Sequence, residues 1–596
     1  VKVDLEVLPA YMSAPAAMAD DAIEIHPGTP NVYFKTDCIK GEDTAPLMEK
    51  LPNVVEVESY CSRQPHLPLE PNLIINSKSI GIHLHHAMIC TGIGIDPEKC
   101  FLVQNPTGGT FGYKFSPTME SMLGVACLAT GRPVSLNYTQ YQNITYTGKR
   151  SPAFMKIKLG ADENGKILAL EGENYIDHGP YSEFGDLLTM RLTHIRNTSY
   201  CVCTNHAWGS AFRGYGSPQS FMGTDTAIDV LADKMGMDPF ELRYINAYRP
   251  GDTTPTGQTP EVFSLVPMMD EMRPLYEDAK KRVKENSTDK VKRGVGVSIG
   301  VYGCGLDGAD SSEAYAEITP KGVTIYNSWE DHGQGADVAT LTIAHEVLKK
   351  AGYKPEDISL VMNDMKFTPN SGPAGGSRSN VVTGNATRIA AENLLKSLEK
   401  PDGTYRTYDE MVAEGLPTKV TGKWVASMCS DCQIEDGQGA PFSNYMYVVN
   451  MPEVAVDMET GKVKVEKFTC WVDCGTIINK LVVDGQVYGA LAQGIGLALS
   501  EDFEDLKKHT TLVKCGIPQI EDVPDALDVH YAKPEYSKRP DGPFGASGVG
   551  EGPLAAPHPA ILNAIFNATG ARITKVPATP DVVKEALDEL ASKAEA

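Results

Sequence analysis

The chain of 596 residues carries a net charge of −23 and a sequence isoelectric point near 5.0, so its surface field repels phosphate backbones and excludes nucleic acid as a partner. Apolar residues make up 42 % and charged residues 22 %, the balance of a globular protein and not of a disordered or collagen-like one. No run approaches the ~20 apolar residues that cross a bilayer, the N-terminus lacks a signal-peptide layout, and 13 cysteines, a sparse and odd number, point to a reducing, cytoplasmic compartment with no membrane role.

In chain order, residues 1–9 alternate apolar and polar and read as a strand whose partner lies upstream, making 1–10 the tail of a preceding domain. His83, His85 and His86 alternate as on a strand, which puts His86 on the opposite face from the other two and argues against a metal site. Strand patterns follow at 155–159 and 167–170, and Cys201 and Cys203 alternate likewise. Ser217-Pro218 opens a helix, a cap residue then proline at the first helical position, running through Phe221, Ala227, Val230 and Leu231. Asp238-Pro239-Phe240-Glu241 opens a second with a capping-box pattern. The segment 277–293 is polar on nearly every face and reads as the linker between two mixed halves, 1–285 and 286–596. Strands are expected at 323–328, 454–458 and 463–468, the last two joined by the turn Glu459-Thr460-Gly461. Thr579-Pro580 starts the last helix, with Val583, Ala586, Leu587 and Leu590 on one face. The fold class is α+β (mixed α/β), with mixed sheets and flanking helices.

The 55 glycines gather in loops. Gly108-Gly109-Thr110-Phe111-Gly112 follows an apolar run, Asp331-His332-Gly333-Gln334-Gly335 follows a strand, and three others precede helical stretches: 211–216 (AFRGYG), 375–378 (GGSR) and 544–551 (FGASGVGE). Such loops supply backbone N–H donors, and Arg213 and Arg378 add fixed positive charge, a combination suited to a large phosphorylated cofactor. None fits GxxxxGK[ST] or a strand–GxGxxG–helix unit, so ATP and NAD lack their usual support. Glu551 is the acidic residue of the densest loop; a carboxylate desolvated there can act as a base. Cys429 and Cys432 form a single CxxC with no second pair, and Cys470 and Cys474 read as packing residues, so no four-ligand zinc set is present.

Taken together, GGTFGYK (108–114), AFRGYGSPQ (211–219), DHGQG (331–335), GGSR…TGNA (375–386), AQGIGLALSED (492–502) and GASGVGEGPL (545–554) closely resemble, in the same order and over nearly the whole chain, the molybdopterin-binding large portion of the xanthine oxidase family. The likeness is strongest to its aldehyde-oxidising molybdenum iron–sulfur branch in sulfate-reducing bacteria. It implies a cofactor-binding domain of two related halves, the second carrying Glu551. Molybdenum would be held by the dithiolene of molybdopterin cytosine dinucleotide, with no metal ligand from protein side chains. By motif position the cofactor contacts are Gly81, Ile82, His83, Gly109, Thr110, Phe111, Ala211, Phe212, Arg213, Gly333, Gln334, Gly335, Ser377, Arg378, Gln493, Ser547, Gly548, Val549 and Gly550.

The resemblance makes Glu551 the catalytic base, taking a proton from water or hydroxide on the metal as a hydride leaves the substrate carbon. Electrons then pass to 2Fe-2S clusters. Their C-x₄-C-x₂-C pattern is absent from this sequence, which places them upstream or on another chain, with flavodoxin or ferredoxin as onward acceptor and a homodimer as the assembly. The implied substrate pocket, Phe115, Phe184, Leu187, Tyr215, Tyr302 and Leu306, carries no polar clamp and favours oxidation of a small aldehyde to its carboxylic acid with water as oxygen source. Alternatives are hydroxylation of purines or other N-heterocycles, and a non-catalytic cofactor-binding subunit. The loop at 179–182 has no cysteine, against carbon monoxide chemistry. Relative to the family the chain is short near 73–76 and 191–203, which bears on the contacts at Gly81 to His83.

Overall fold

The computed structural model describes residues 76–595 apart from 131, 133, 180–193, 307 and 506, together with 53–61, most of 10–40, and 46, 48 and 50. The expected strand at 1–9 lies outside them. The chain begins with β1 (Val32–Lys40), β2 (Asn53–Cys61), β3 (Asn76–Ser77), α1 (Ile82–Ile93), β4 (Val103–Gln104), β5 (Ala153–Ala161), β6 (Ile167–Gly179), β7 (His194–Cys203), α2 (Ser217–Met235), α3 (Pro239–Asn246) and α4 (Leu265–Asn286). It continues with β8 (Val291–Val295), β9 (Ser298–Cys304), β10 (Ser311–Thr319), β11 (Gly322–Asn327), α5 (Ala336–Leu348), β12 (Ile358–Met362), α6 (Ser379–Leu398) and β13 (Lys419–Val425). The last part holds β14 (Asn444–Asp457), β15 (Val463–Asp473), α7 (Lys480–Leu499), β16 (Ala526–Tyr531), α8 (Pro557–Thr569), β17 (Lys575–Val576) and α9 (Pro580–Glu595). No helix among the described residues is long and apolar enough to cross a membrane.

Three larger sheets carry the fold: β1-β7-β6-β5-β2-β17, β12-β11-β10-β13, and β16-β15-β14-β8 with β9 also paired to β14. The first mixes directions, with β6–β7 and β2–β17 parallel and the others antiparallel. Burial explains the patterns: β5 alternates along its first half, whereas β14 is buried almost end to end because both its faces are covered. α8 lies so close on β8 that a Cβ at Gly296 would stand 2.0 Å from the Ala560 carbonyl oxygen.

The expected strands at 155–159, 167–170 and 463–468 lie within β5, β6 and β15, and those at 323–328 and 454–458 form in β11 and β14 except for their last residues, Ser328 and Met458. β14 and β15 pair as the expected hairpin, Val456 opposite Val463. α2 begins where expected, but its cap is Gly216, one residue before Ser217. Asp238 caps α3 by accepting from Phe240 N at 2.8 Å, while Glu241 pairs with Arg273 instead of closing a capping box. In α9 Val583 and Leu587 are buried and Leu590 is exposed.

Two readings are corrected. His83, His85 and His86 lie on α1, not a strand, with Ile82, His85, Ile89 and Cys90 buried at helical spacing. The stretch 277–293 is no linker: it finishes α4, whose narrow stripe Met268, Met272, Tyr276, Ala279 and Val283 is buried, and runs into β8.

A buried ion cluster locks α2, α3 and α8 together. Arg243 donates from Nη2 to Asp225 at 2.7 Å and from Nη1 to Asp229 at 3.3 Å, Asn563 Nδ2 adds a bond to Asp225 at 3.0 Å, and Arg572 reaches Asp229 at 2.8 Å. Arg243→Ala leaves the buried Asp225 carboxylate without a cation, Asp229 keeping Arg572, and should cost about 3–5 kcal/mol in urea unfolding. Arg293→Ala, which removes the half-exposed pair with Glu466, should cost under ~1 kcal/mol.

Candidate active site

One cavity of about 180 Å³ is lined by residues from all five glycine loops. Phe111, Arg213, Gln334, Gly335, Ser377, Ser547, Gly548, Val549, Gly550 and Glu551 meet there. Gly335, Ser379 and Asn380, and Asn479 and Val482 also place the first turns of α5, α6 and α7 on its wall. Three helix N-termini and a guanidinium give the cavity a positive lining inside an acidic protein.

Glu551 joins these loops. Its Oε1 accepts from Gly214 N at 3.3 Å, its Oε2 from Ser377 Oγ at 2.8 Å, and its own N–H donates back to Ser377 Oγ at 3.1 Å. The Tyr302 phenol lies near the same carboxylate; burial, and after it that negative charge, push the phenol well above its ordinary value. Arg213 donates to the Gly550 carbonyl, to Gln493 Oε1 at 3.2 Å and to Gln486 O at 2.7 Å. Burial brings the Arg213 guanidinium down to about 10, opposed by the charge of Glu551. Backbone strain concentrates at the site: Phe111, Tyr215, Ser377 and Phe544 all have positive φ. Only glycine fits at 548, where a Cβ would stand 2.3 Å from the Ser377 carbonyl oxygen.

Other expected contacts sit behind the wall. Gln493 steadies Arg213, Phe212 packs against Phe111 with ring centroids 6.2 Å apart, and Ala211 backs Gly112. Thr110 is buried beside Gly109 on the Phe111 loop, and Gly333 is exposed on the α5 loop. Gly81 abuts Pro373 and Ile82 N donates to Glu330 Oε1 at 3.1 Å. Arg378 does not line the cavity. Its guanidinium is fully buried on Asp310 at 2.6 and 2.8 Å and on the carbonyls of Ser311, Ser371 and Pro373, so it fixes the 371–378 loop. Among the expected substrate residues, Phe115 packs at Gly375, Leu306 at Gly376, and Tyr215 and Tyr302 near Glu551; Phe184 and Leu187 lie outside the described residues. The sequence reading missed Trp329, His332, Asn380, Ile478, Asn479, Val482 and Gln486 on the wall. Asn479, which caps α7 by accepting from Val482 N at 3.3 Å, was visible as a cap signal.

His332 and His83 each keep a buried Nε2 with no partner, and burial lowers both, His332 to about 4. The neutral His332 imidazole, helix N-termini and Arg213 around this apolar-walled space fit a flat, phosphorylated cofactor, whereas His83 is not among the lining residues.

The chain belongs to the molybdopterin-binding proteins of the xanthine oxidase family. Residues 25–247 and 271–524 each match a family model described as a molybdopterin cofactor-binding domain. It is 56 % identical over 609 residues to the aldehyde oxidoreductase of Megalodesulfovibrio gigas, covering 98 % of this chain and 67 % of that protein. Solved structures of aldehyde oxidoreductases from Desulfovibrio gigas and Desulfovibrio desulfuricans superpose with TM-scores of 0.96 and 0.94, each at 55 % identity over 98 % of this chain and 67 % of theirs.

Burial pushes the Glu330 carboxyl up to about 8 from an ordinary 4.5. The folded state therefore holds a proton that the unfolded chain has released, and this contribution, complete below pH 4.5, is lost as pH rises through 8. Glu330→Gln, which cannot titrate, should lose less melting temperature than the wild type between these limits; an unchanged pH slope would contradict the assignment.

Proposed function

We propose that this chain is the molybdenum-cofactor-binding, catalytic portion of an aldehyde oxidoreductase that converts small aldehydes to carboxylic acids with water as oxygen source. The observation that carries this reading is the Glu551 carboxylate, held by Gly214 and Ser377 on the wall of the cavity. Arg213, Gln334, His332 and the N-termini of α5, α6 and α7 would hold the pterin dinucleotide, taken as the cytosine form. When bound, its molybdenum supplies the two-electron oxidant and the site at which water is activated.

The protein's own part is proton transfer and exclusion of water. Glu551 takes a proton at a carboxylate oxygen as water adds to the aldehyde carbon, and the Gly214 N–H and Ser377 hydroxyl fix the direction of its lone pairs. Arg213, hydrogen-bonded to the carbonyl beside Glu551, offsets the carboxylate's charge. Phe115, Tyr302 and Leu306 give apolar surface and no charged clamp for a purine edge, which favours aldehydes. 2Fe-2S clusters outside this chain would accept the two electrons and pass them to an acceptor such as flavodoxin or ferredoxin; the reading includes a homodimer in the cytoplasm. Residues 1–285 and 286–596 are taken as the two cofactor-binding halves.

Glu551→Gln should lower aldehyde-dependent dye reduction by acetaldehyde or benzaldehyde at least ~10²-fold while molybdenum content and melting stay at wild-type values. Undiminished turnover would remove Glu551 from the mechanism, and preferential turnover of xanthine would replace the aldehyde reading.

A further inference from the structure

His86, Cys90 and Cys100 stand outside the cofactor cavity, and the reaction above does not use them. His86 and Cys90 are one helical turn apart on the same face of α1. Cys100 arrives from a separate segment, after the short turn Pro97–Lys99 that Asp96 caps by accepting from Glu98 N at 3.0 Å. One ring nitrogen of His86 and the two sulfurs lie within 4.8 Å of one another. Both cysteines are buried and His86 is partly exposed, so the cluster is closed on the protein side and reachable from solvent.

The His86 ring is held by the backbone. His86 Nε2 lies 3.0 Å from both the Pro97 and Cys100 carbonyl oxygens, which only accept, so Nε2 carries the proton and the lone pair sits on Nδ1. A ring N–H given to a backbone carbonyl is the usual support for a metal-bound histidine. Two thiols and an imidazole with no carboxylate form a soft donor set. At Zn–S distances of ~2.3 Å, tetrahedral geometry spaces two sulfurs by about 3.8 Å, so small side-chain shifts suffice.

We propose that His86, Cys90 and Cys100 form a structural Zn²⁺ site, with water in the fourth position and the two thiol protons released to solvent on binding. Its position gives it a role. α1 begins at the Gly81 to His83 segment, and the chain after Cys100 runs through β4 to the 108–112 loop. The ion would tie together two segments that lead to the cofactor cavity.

The test is titration of Co²⁺, then Zn²⁺ in competition, into the full-length protein after reduction and removal of bound metal by a chelator. The wild type should show a thiolate-to-cobalt charge-transfer band, displaced by Zn²⁺, and should melt higher with Zn²⁺ present. Cys90→Ser and Cys100→Ser should abolish the band and weaken Zn²⁺ binding at least ~100-fold, beyond the 10–100-fold typical of a lost supporting partner. His86→Asn, which keeps both thiols, should also weaken binding and covers the case of a serine variant that fails to fold; Cys127→Ser should change nothing. No band in the wild type, an unchanged band in both serine variants, or a thiol count showing Cys90 and Cys100 joined as a disulfide in protein isolated under reducing conditions would overturn the proposal.

Discussion

The carboxylate of Glu551 can be held by Ser377 Oγ at 2.8 Å and Gly214 N at 3.3 Å only if the three loops that carry these residues, separated by well over a hundred residues, arrive at one point in register. Each loop leaves a strand or enters a helix of the scaffold, so small displacements of any layer would part these contacts. That constraint accounts for the kind of scaffold this is. Sheets mix parallel and antiparallel strands, helices sit on them as closely as Gly296 permits, and the loops at the helix starts carry the chemistry.

Buried charge sets the loops more than it stabilises them. Arg378 spends its guanidinium on Asp310 and three carbonyls, Arg213 reaches Gly550, Gln486 and Gln493, and Arg150 donates to the Arg213 carbonyl at 2.6 Å. Desolvation makes such groups poor sources of net stability. Their many donors in a rigid fork specify where several backbone oxygens must lie. The positive φ of Phe111, Ser377 and Tyr215 is the complementary sign: the surroundings hold these residues in costly conformations where the cavity needs them.

Much of this was legible in the sequence because the loops depend on local chemistry. Glycine clusters, cap residues before α3 and α9, and period-two strands state their structure within a few residues. The order of the loop motifs carried the rest of the site, ten of whose expected residues meet in the cavity. What was misread depended on distance. Over only four residues, 83–86, periods of 2 and 3.6 cannot be separated, and burial of Ile89 and Cys90 decides for a helix. The stretch after 277 looks polar because its apolar stripe starts at Met268, before the segment begins. Arg378 shows its charge in the sequence but not its partner Asp310, and the convergence of α5, α6 and α7 on one cavity is a tertiary fact.

On the function proposed above, the glycine loops, Arg213 and three helix N-termini would enclose a molybdenum pterin dinucleotide beside Glu551. Elemental analysis of the purified full-length protein, with chromatography of the nucleotide released by acid, tests it most directly. One molybdenum per chain and release of CMP are expected. Correctly folded protein, isolated from cells supplied with molybdate and carrying neither metal nor nucleotide, would contradict it and free the cavity for another ligand.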